Sequence, residues 1–225
     1  TALIERAGRG KTTLARQRMM RWAAGLPLFE GLKDSQVPVR PLKIGLLENE
    51  GVAWDMQNKL GHLLTDAGLD AEHQAIARDN LVVWKDGGYS GLKLDKDEDF
   101  EELDWNIGAK GDLDIVIMEP FRGLWRGEEN DSTQMEAVLD RIVQLATKHQ
   151  IAVMLSHHER KSGAGEDGEW MSASRGSGVL EGKVAVMENF RAVKEGELRE
   201  LSWSKSRYHP ERGSVRMRYI EEDHH

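Results

Sequence analysis

The feature that most constrains this chain is the run Gly8-Arg9-Gly10-Lys11-Thr12-Thr13. It follows the short apolar segment Ala2-Leu3-Ile4 and leads into a stretch of helical character from Thr13 to about Ala24. A strand, a glycine turn ending in Gly-Lys-Thr and a helix form the local order that a phosphate-binding loop requires. Glycines at 8 and 10 let successive backbone N–H groups converge on phosphate oxygens, and the helix start adds its positive dipole end. In such a loop residues 8–13 cradle a nucleotide's phosphates, Lys11 reaches the β- and γ-phosphates, and the Thr12 hydroxyl holds Mg²⁺. One position departs from the pattern: the residue five before Gly10 is Glu5 rather than Gly. A carboxylate aimed at phosphates is costly, so its side chain is expected to turn away. The plainer reading of the run is a glycine turn that caps an ordinary helix.

Short apolar segments recur along the chain: Leu42–Leu47, Leu81–Trp84, Leu113–Met118, Ile151–Leu155 and Val184–Met187. They read as buried strands. Amphipathic segments lie between them. The clearest is Ser132–Lys148, where Met135, Val138, Leu139, Ile142, Val143 and Ala146 trace one apolar helix face, with Asp131 or Ser132 as N-cap. Strands alternating with helices imply an α/β fold with a mainly parallel sheet flanked by helices. Val184–Met187, Leu198–Ser204 and Val215–Ile220 are expected to add an antiparallel C-terminal extension. Arg160–Met171, rich in Gly, Glu and Asp, reads as a loop.

Two strand ends carry carboxylates. Leu42–Leu47 runs into Glu48, and Leu113–Met118 runs into Glu119. The C-terminal ends of parallel strands border the crevice where α/β proteins bind ligands. Glu48 suits a general base that orients water toward a γ-phosphate; its alternative is to begin a loop or cap the next helix. Glu119 stands where phosphate-loop proteins keep a metal-side acid, usually Asp; its alternative is a solvated strand end. Asp114 opens the same strand and is expected at the far end.

Taken in order, Met118-Glu119-Pro120-Phe121-Arg122, Ser156-His157-His158-Glu159-Arg160-Lys161, Ser174-Arg175-Gly176-Ser177-Gly178 and Ser204-Lys205-Ser206-Arg207-Tyr208 resemble the RecA-like ATPases of the hexameric RepA replicative helicase type. DnaB helicases and RadA recombination ATPases are relatives of that family. The resemblance runs from Leu3 to about Ile220 and implies a single RecA-like domain over residues 1–225. It implies Glu48 as catalytic base and Glu119 in the metal position. It implies His157 or His158 as a γ-phosphate sensor, with His157 the candidate taken as catalytic. It also implies that Arg160, Lys161 and Arg175 meet single-stranded DNA. Glu166, Asp167 and Glu169 in the same stretch favour a solvated loop instead, and Arg175 stays open between loop anchor and inter-subunit contact. Lys205 and Arg207, spaced to share a strand face, match a Lys-x-Arg pair that reaches into a neighbouring subunit's nucleotide site. Their alternative is surface charge on an edge strand.

Composition sharpens these expectations. The 225 residues hold 39 Asp plus Glu against 31 Lys plus Arg, for a formal charge of −8, so any DNA contact must use locally gathered cations. The absence of Cys excludes disulfides, thiolate zinc sites and cysteine nucleophiles, and it fits a cytoplasmic location. No apolar run approaches the roughly 20 residues of a membrane span. The expected protein is an ATP- and Mg²⁺-dependent helicase or translocase acting on single-stranded DNA as a homo-oligomeric ring, with a hexamer as the size implied. The alternatives are a RadA-like recombination or repair ATPase, and a nucleotide-gated DNA-binding module with weak hydrolysis. So few residues precede the phosphate loop that the natural start is expected to lie upstream.

Overall fold

The computed structural model describes residues 2–5, 10–29, 38–48, 53–84, 91–127, 131–158, 177–193, 198–207 and 213–218. The side chains of Ile4, Glu5, Lys11, residues 53–59, His158 and Ser177 are not among those described. The helices are α1 (Lys11–Ala23), α2 (Ala53–Asp66), α3 (Ala71–Asn80), α4 (Asp97–Lys110), α5 (Ser132–His149) and α6 (Ser177–Lys183). The strands are β1 (Ala2–Glu5), β2 (Ile44–Glu48), β3 (Leu81–Val83), β4 (Ile115–Glu119), β5 (Ala152–His158), β6 (Val186–Ala192), β7 (Leu198–Ser206) and β8 (Val215–Arg218). They form one sheet in the order β3-β2-β4-β5-β1-β6-β7-β8. Pairing is parallel from β3 to β6 and antiparallel from β6 to β8. This is the expected α/β class, with one refinement. β6 pairs in parallel with β1 on one side and antiparallel with β7 on the other, so it closes the parallel sheet as well as opening the extension.

Two apolar layers cover the sheet. Leu14, Ala15, Met19 and Met20 of α1, with Leu64 of α2 and Ala77 of α3, pack on Leu3, Ile44, Leu46, Ile115, Ile117 and Met154. On the other face Leu103 and Ile107 of α4, the inner side of α5 and Leu180 of α6 pack on Ala2, Leu47, Val116, Met118 and Leu155. Successive strand residues alternate between the two layers, as period two demands.

Helix α5 begins where expected: the Asp131 carboxylate accepts from the Thr133 and Gln134 amides at 3.0 and 3.1 Å. Its inner face is Met135, Val138, Leu139, Ile142 and Leu145. Val143, which the sequence pattern assigned inward, is exposed because steps of three and four from Ile142 select Leu145 and Ala146 instead. Asp114 lies at the opposite end of β4 from Glu119. There the Arg40 guanidinium hydrogen-bonds it and holds its carboxyl below the usual value, against the smaller opposing effect of burial. No described helix is long and apolar enough to cross a membrane.

Gly45 in the middle of β2 has a packing role. A Cβ there would lie 2.6 Å from the Trp84 ring, and a second ring atom would be 2.9 Å away. Trp84 is half-buried against the layer that holds Leu113 and Val116, so a Cβ at position 45 forces the ring to shift within that contact. Gly45→Ala is expected to destabilise the fold by about 1–3 kcal/mol, the usual cost of overpacking a filled core. Equilibrium urea unfolding checks this through a lowered midpoint at unchanged slope.

Candidate functional site

The site is built at the C-terminal edge of the parallel strands, where α1 starts. Gly10 is the N-cap of α1 with φ 94° and ψ 12°, a left-handed conformation that glycine adopts without steric cost. Its carbonyl accepts from the Leu14 amide at 2.9 Å, closing the first helical turn. Among the described residues no side chain caps this end, and the first turn holds no acidic residue. The uncapped N–H groups and the dipole therefore favour an anion. Gly8 and Arg9 lie outside the described residues, as does the Lys11 side chain. The backbones of Lys11, Thr12 and Thr13 form the first turn of α1.

Register then sets the facing wall. Glu48 of β2 and Glu119 of β4 are direct partners in the parallel ladder. Both follow Ile44, Leu46, Ile115 and Ile117 by even steps, so both side chains lie on the α1 face. Ser156 of β5 is the register partner of Leu3 and joins the same row. Its hydroxyl lies 3.5 Å from Glu119 Oε1. Arg16 of α1 donates from Nη2 to Glu48 Oε1 at 2.9 Å. Glu119 is 5% exposed, so this is a buried acid rather than a solvated strand end.

His157 does not join this row. Strand alternation turns it to the opposite face, where it is buried with its ring edge-on to Phe121 at 5.8 Å. The side chain of His158 lies outside the described residues.

Lys205 and Arg207 share a face, as their spacing implied, but not the face of Trp203. Met187 pairs with Lys205 and Glu188 with Trp203, so a β-bulge at Ser204 intervenes. The bulge leaves Trp203 in the α1 layer and sends Lys205 and Arg207 toward α6. There the Lys205 ammonium donates to the Glu181 carbonyl and the Arg207 guanidinium to the Gly182 carbonyl. Within one chain the pair thus sits at the negative end of α6. Arg160, Lys161 and Arg175 lie outside the described residues.

Sequence reasoning missed two cations on α1. One is Arg16 on Glu48. The other is Arg18, 1% exposed, whose Nη1 donates to Glu188 Oε2 at 2.6 Å and to Met154 Sδ at 3.3 Å. The Trp203 indole N–H donates to the other Glu188 oxygen at 3.0 Å, and the Trp22 ring lies 5.2 Å from the Arg18 guanidinium. Arg18 Nε and Nη2 find no acceptor among the described residues. The only sequence hint was an Arg-rich helix, Arg16-Gln17-Arg18, where a phosphate-loop helix packs inward.

A family model described as an AAA domain matches residues 1–164. The chain belongs to the AAA domain family. Among solved structures this AAA domain protein is similar to the RadB recombinase, with a TM-score of 0.62 and 16% identity over 96% of this chain and 86% of that one. At that identity the likeness is one of fold, and with the strand order it supports the RecA-like class. No curated protein matches the chain.

The Arg18–Glu188 pair ties the phosphate-loop helix to β6 and β7, and removing one partner leaves the other charged and buried. Glu188→Leu in this AAA domain is expected to cost about 3–5 kcal/mol, while the apolar double substitution Arg18→Met/Glu188→Leu recovers most of the loss. Denaturant unfolding of both variants measures the difference.

Proposed function

We propose that the chain is an Mg²⁺-dependent ATPase that acts on single-stranded DNA as a homo-oligomeric ring, a hexamer by its RepA-type resemblance. The observation that carries the nucleotide reading is the placement of Glu48 and Glu119 side by side, facing an α1 whose N-terminus starts at a left-handed Gly10. The donor chemistry fits the metal. Thr12 hydroxyl and Glu119 carboxylate are hard oxygen ligands of the kind Mg²⁺ takes. Among the described residues no cluster of three or more His, Asp or Glu could hold an ion alone. Mg²⁺ at phosphate sites is held by one or two protein oxygens plus phosphate and water. Bound Mg²⁺ would neutralise charge on the β- and γ-phosphates.

The chain's own residues have distinct tasks in this reading. The amides of Gly8 to Thr13 bind phosphate oxygens, and Lys11 adds a point charge at the γ-phosphate. Glu48 accepts the proton of the water that attacks in line. Lys205 and Arg207 exchange the α6 carbonyls for a neighbouring subunit's nucleotide, stabilising charge in trans. Arg160, Lys161 and Arg175 contact the DNA backbone. By the resemblance His157 or His158 senses the γ-phosphate; the His157 ring lies edge-on to Phe121.

ATP turnover with and without single-stranded DNA, with mass by light scattering in the same samples, tests the proposal. Turnover is expected to rise with DNA in an oligomer of defined mass, and Lys11→Ala is expected to lower it by about 10²-fold or more. Turnover unchanged in Lys11→Ala would sink the phosphate-loop assignment. A RadA-like recombination ATPase is the second reading, favoured by the fold likeness to the RadB recombinase. Strand displacement on a forked substrate is expected of a helicase and not of that alternative.

A further inference from the structure

We infer that Arg16 is a positioning residue for Glu48, fixing the base carboxylate relative to the phosphate-binding end of α1. The inference rests on the proposed role of Glu48. It begins from a problem that register creates. Glu48 and Glu119 are direct ladder partners on one face, and neighbouring strands are only about 4.8 Å apart. Two ionised carboxylates so placed repel each other, and without further contacts each would have several rotamers that move it away from the other.

The structure separates the two acids by giving them different partners. Glu119 has the Ser156 hydroxyl beside it at 3.5 Å. Glu48 takes the Arg16 guanidinium at 2.9 Å, with side-chain exposures of 18% and 14% for the two partners. A charge-assisted contact so shielded from water is directional and weakly screened. Arg16 is also placed to transmit position. It lies four residues after Thr12 on α1, on the same helix face. One rigid helix turn therefore connects the hydroxyl proposed for the metal with the cation that holds the base. Arg16 Nε is buried without an acceptor among the described residues. The other buried cation of the helix, Arg18, is engaged with Glu188 and does not compete for Glu48.

A positioning residue acts through the group it holds, which gives a signature that a packing role lacks. In steady-state ATP hydrolysis by the full chain, Arg16→Met is expected to lower kcat about 10- to 100-fold. KM for ATP should stay within about twofold, because ground-state binding is not touched. Arg16→Lys, which can still offer one N–H to Oε1, is expected to recover part of kcat. Adding Arg16→Met to Glu48→Gln is expected to cause no further loss. A kcat for Arg16→Met within about twofold of the parent, beside a Glu48→Gln that has lost turnover, overturns the inference and leaves the base role standing. A further loss in the double variant overturns it too, because Arg16 then acts independently of Glu48. Full turnover in Glu48→Gln overturns the base role and the inference together. Should Arg16→Met fail to fold by circular dichroism, Arg16→Gln is judged by the same criteria.

Discussion

Parallel strand pairing with period-two alternation is the constraint from which the rest follows. Because β2, β4, β5 and β1 run the same way, their C-terminal ends lie on one edge beside the start of α1. Because side chains alternate, Glu48, Glu119 and Ser156 share the face that α1 covers, while Leu47, Met118, Leu155 and His157 share the other. A slip of one residue in β2 or β4 would exchange an acid for an apolar neighbour and dismantle the site. The core that fixes the register and the row of polar groups at its end are therefore parts of one pattern.

Charge is handled locally within that frame. The chain is acidic overall, yet α1 carries two inward cations, each matched to one carboxylate: Arg16 to Glu48 and Arg18 to Glu188. The first pair borders the candidate site. The second fastens the same helix to β6, and through Trp203 to β7. One residue further along β7 a bulge at Ser204 redirects Lys205 and Arg207 to the carbonyls of α6. Helix α1 is thus connected through Glu188 and the half-buried Trp203 to the strand that carries the candidate trans cations. Whatever the cations meet in an assembly must compete with two backbone carbonyls.

Much of this was legible in the sequence, and what was not has physical causes. The phosphate-loop context, the strand ends at Glu48 and Glu119 and the Asp131 cap are local features, and local residue chemistry specifies them. The outward turn of Val143 is also local, but adjacent apolar residues in Ile142-Val143 blur a helical face. His157 was ambiguous for another reason: two adjacent histidines give no phase in the sequence, and only the packed strand places the His157 ring beside Phe121. The partners of Arg16 and Arg18 lie 32 and 170 positions away, the bulge at Ser204 depends on pairing with β6, and no periodicity encodes them.

The central claim is that the paired acids face a nucleotide bound at the start of α1, with Glu119 on the metal side. Calorimetric titration of a non-hydrolysable ATP analogue, in Mg²⁺ and then in EDTA, tests it most directly when done on the parent chain and on Glu119→Gln. The account predicts tighter binding with Mg²⁺ for the parent and a clear loss of that Mg²⁺ advantage in Glu119→Gln. An equal Mg²⁺ advantage in both proteins, or no binding by the parent, would contradict it.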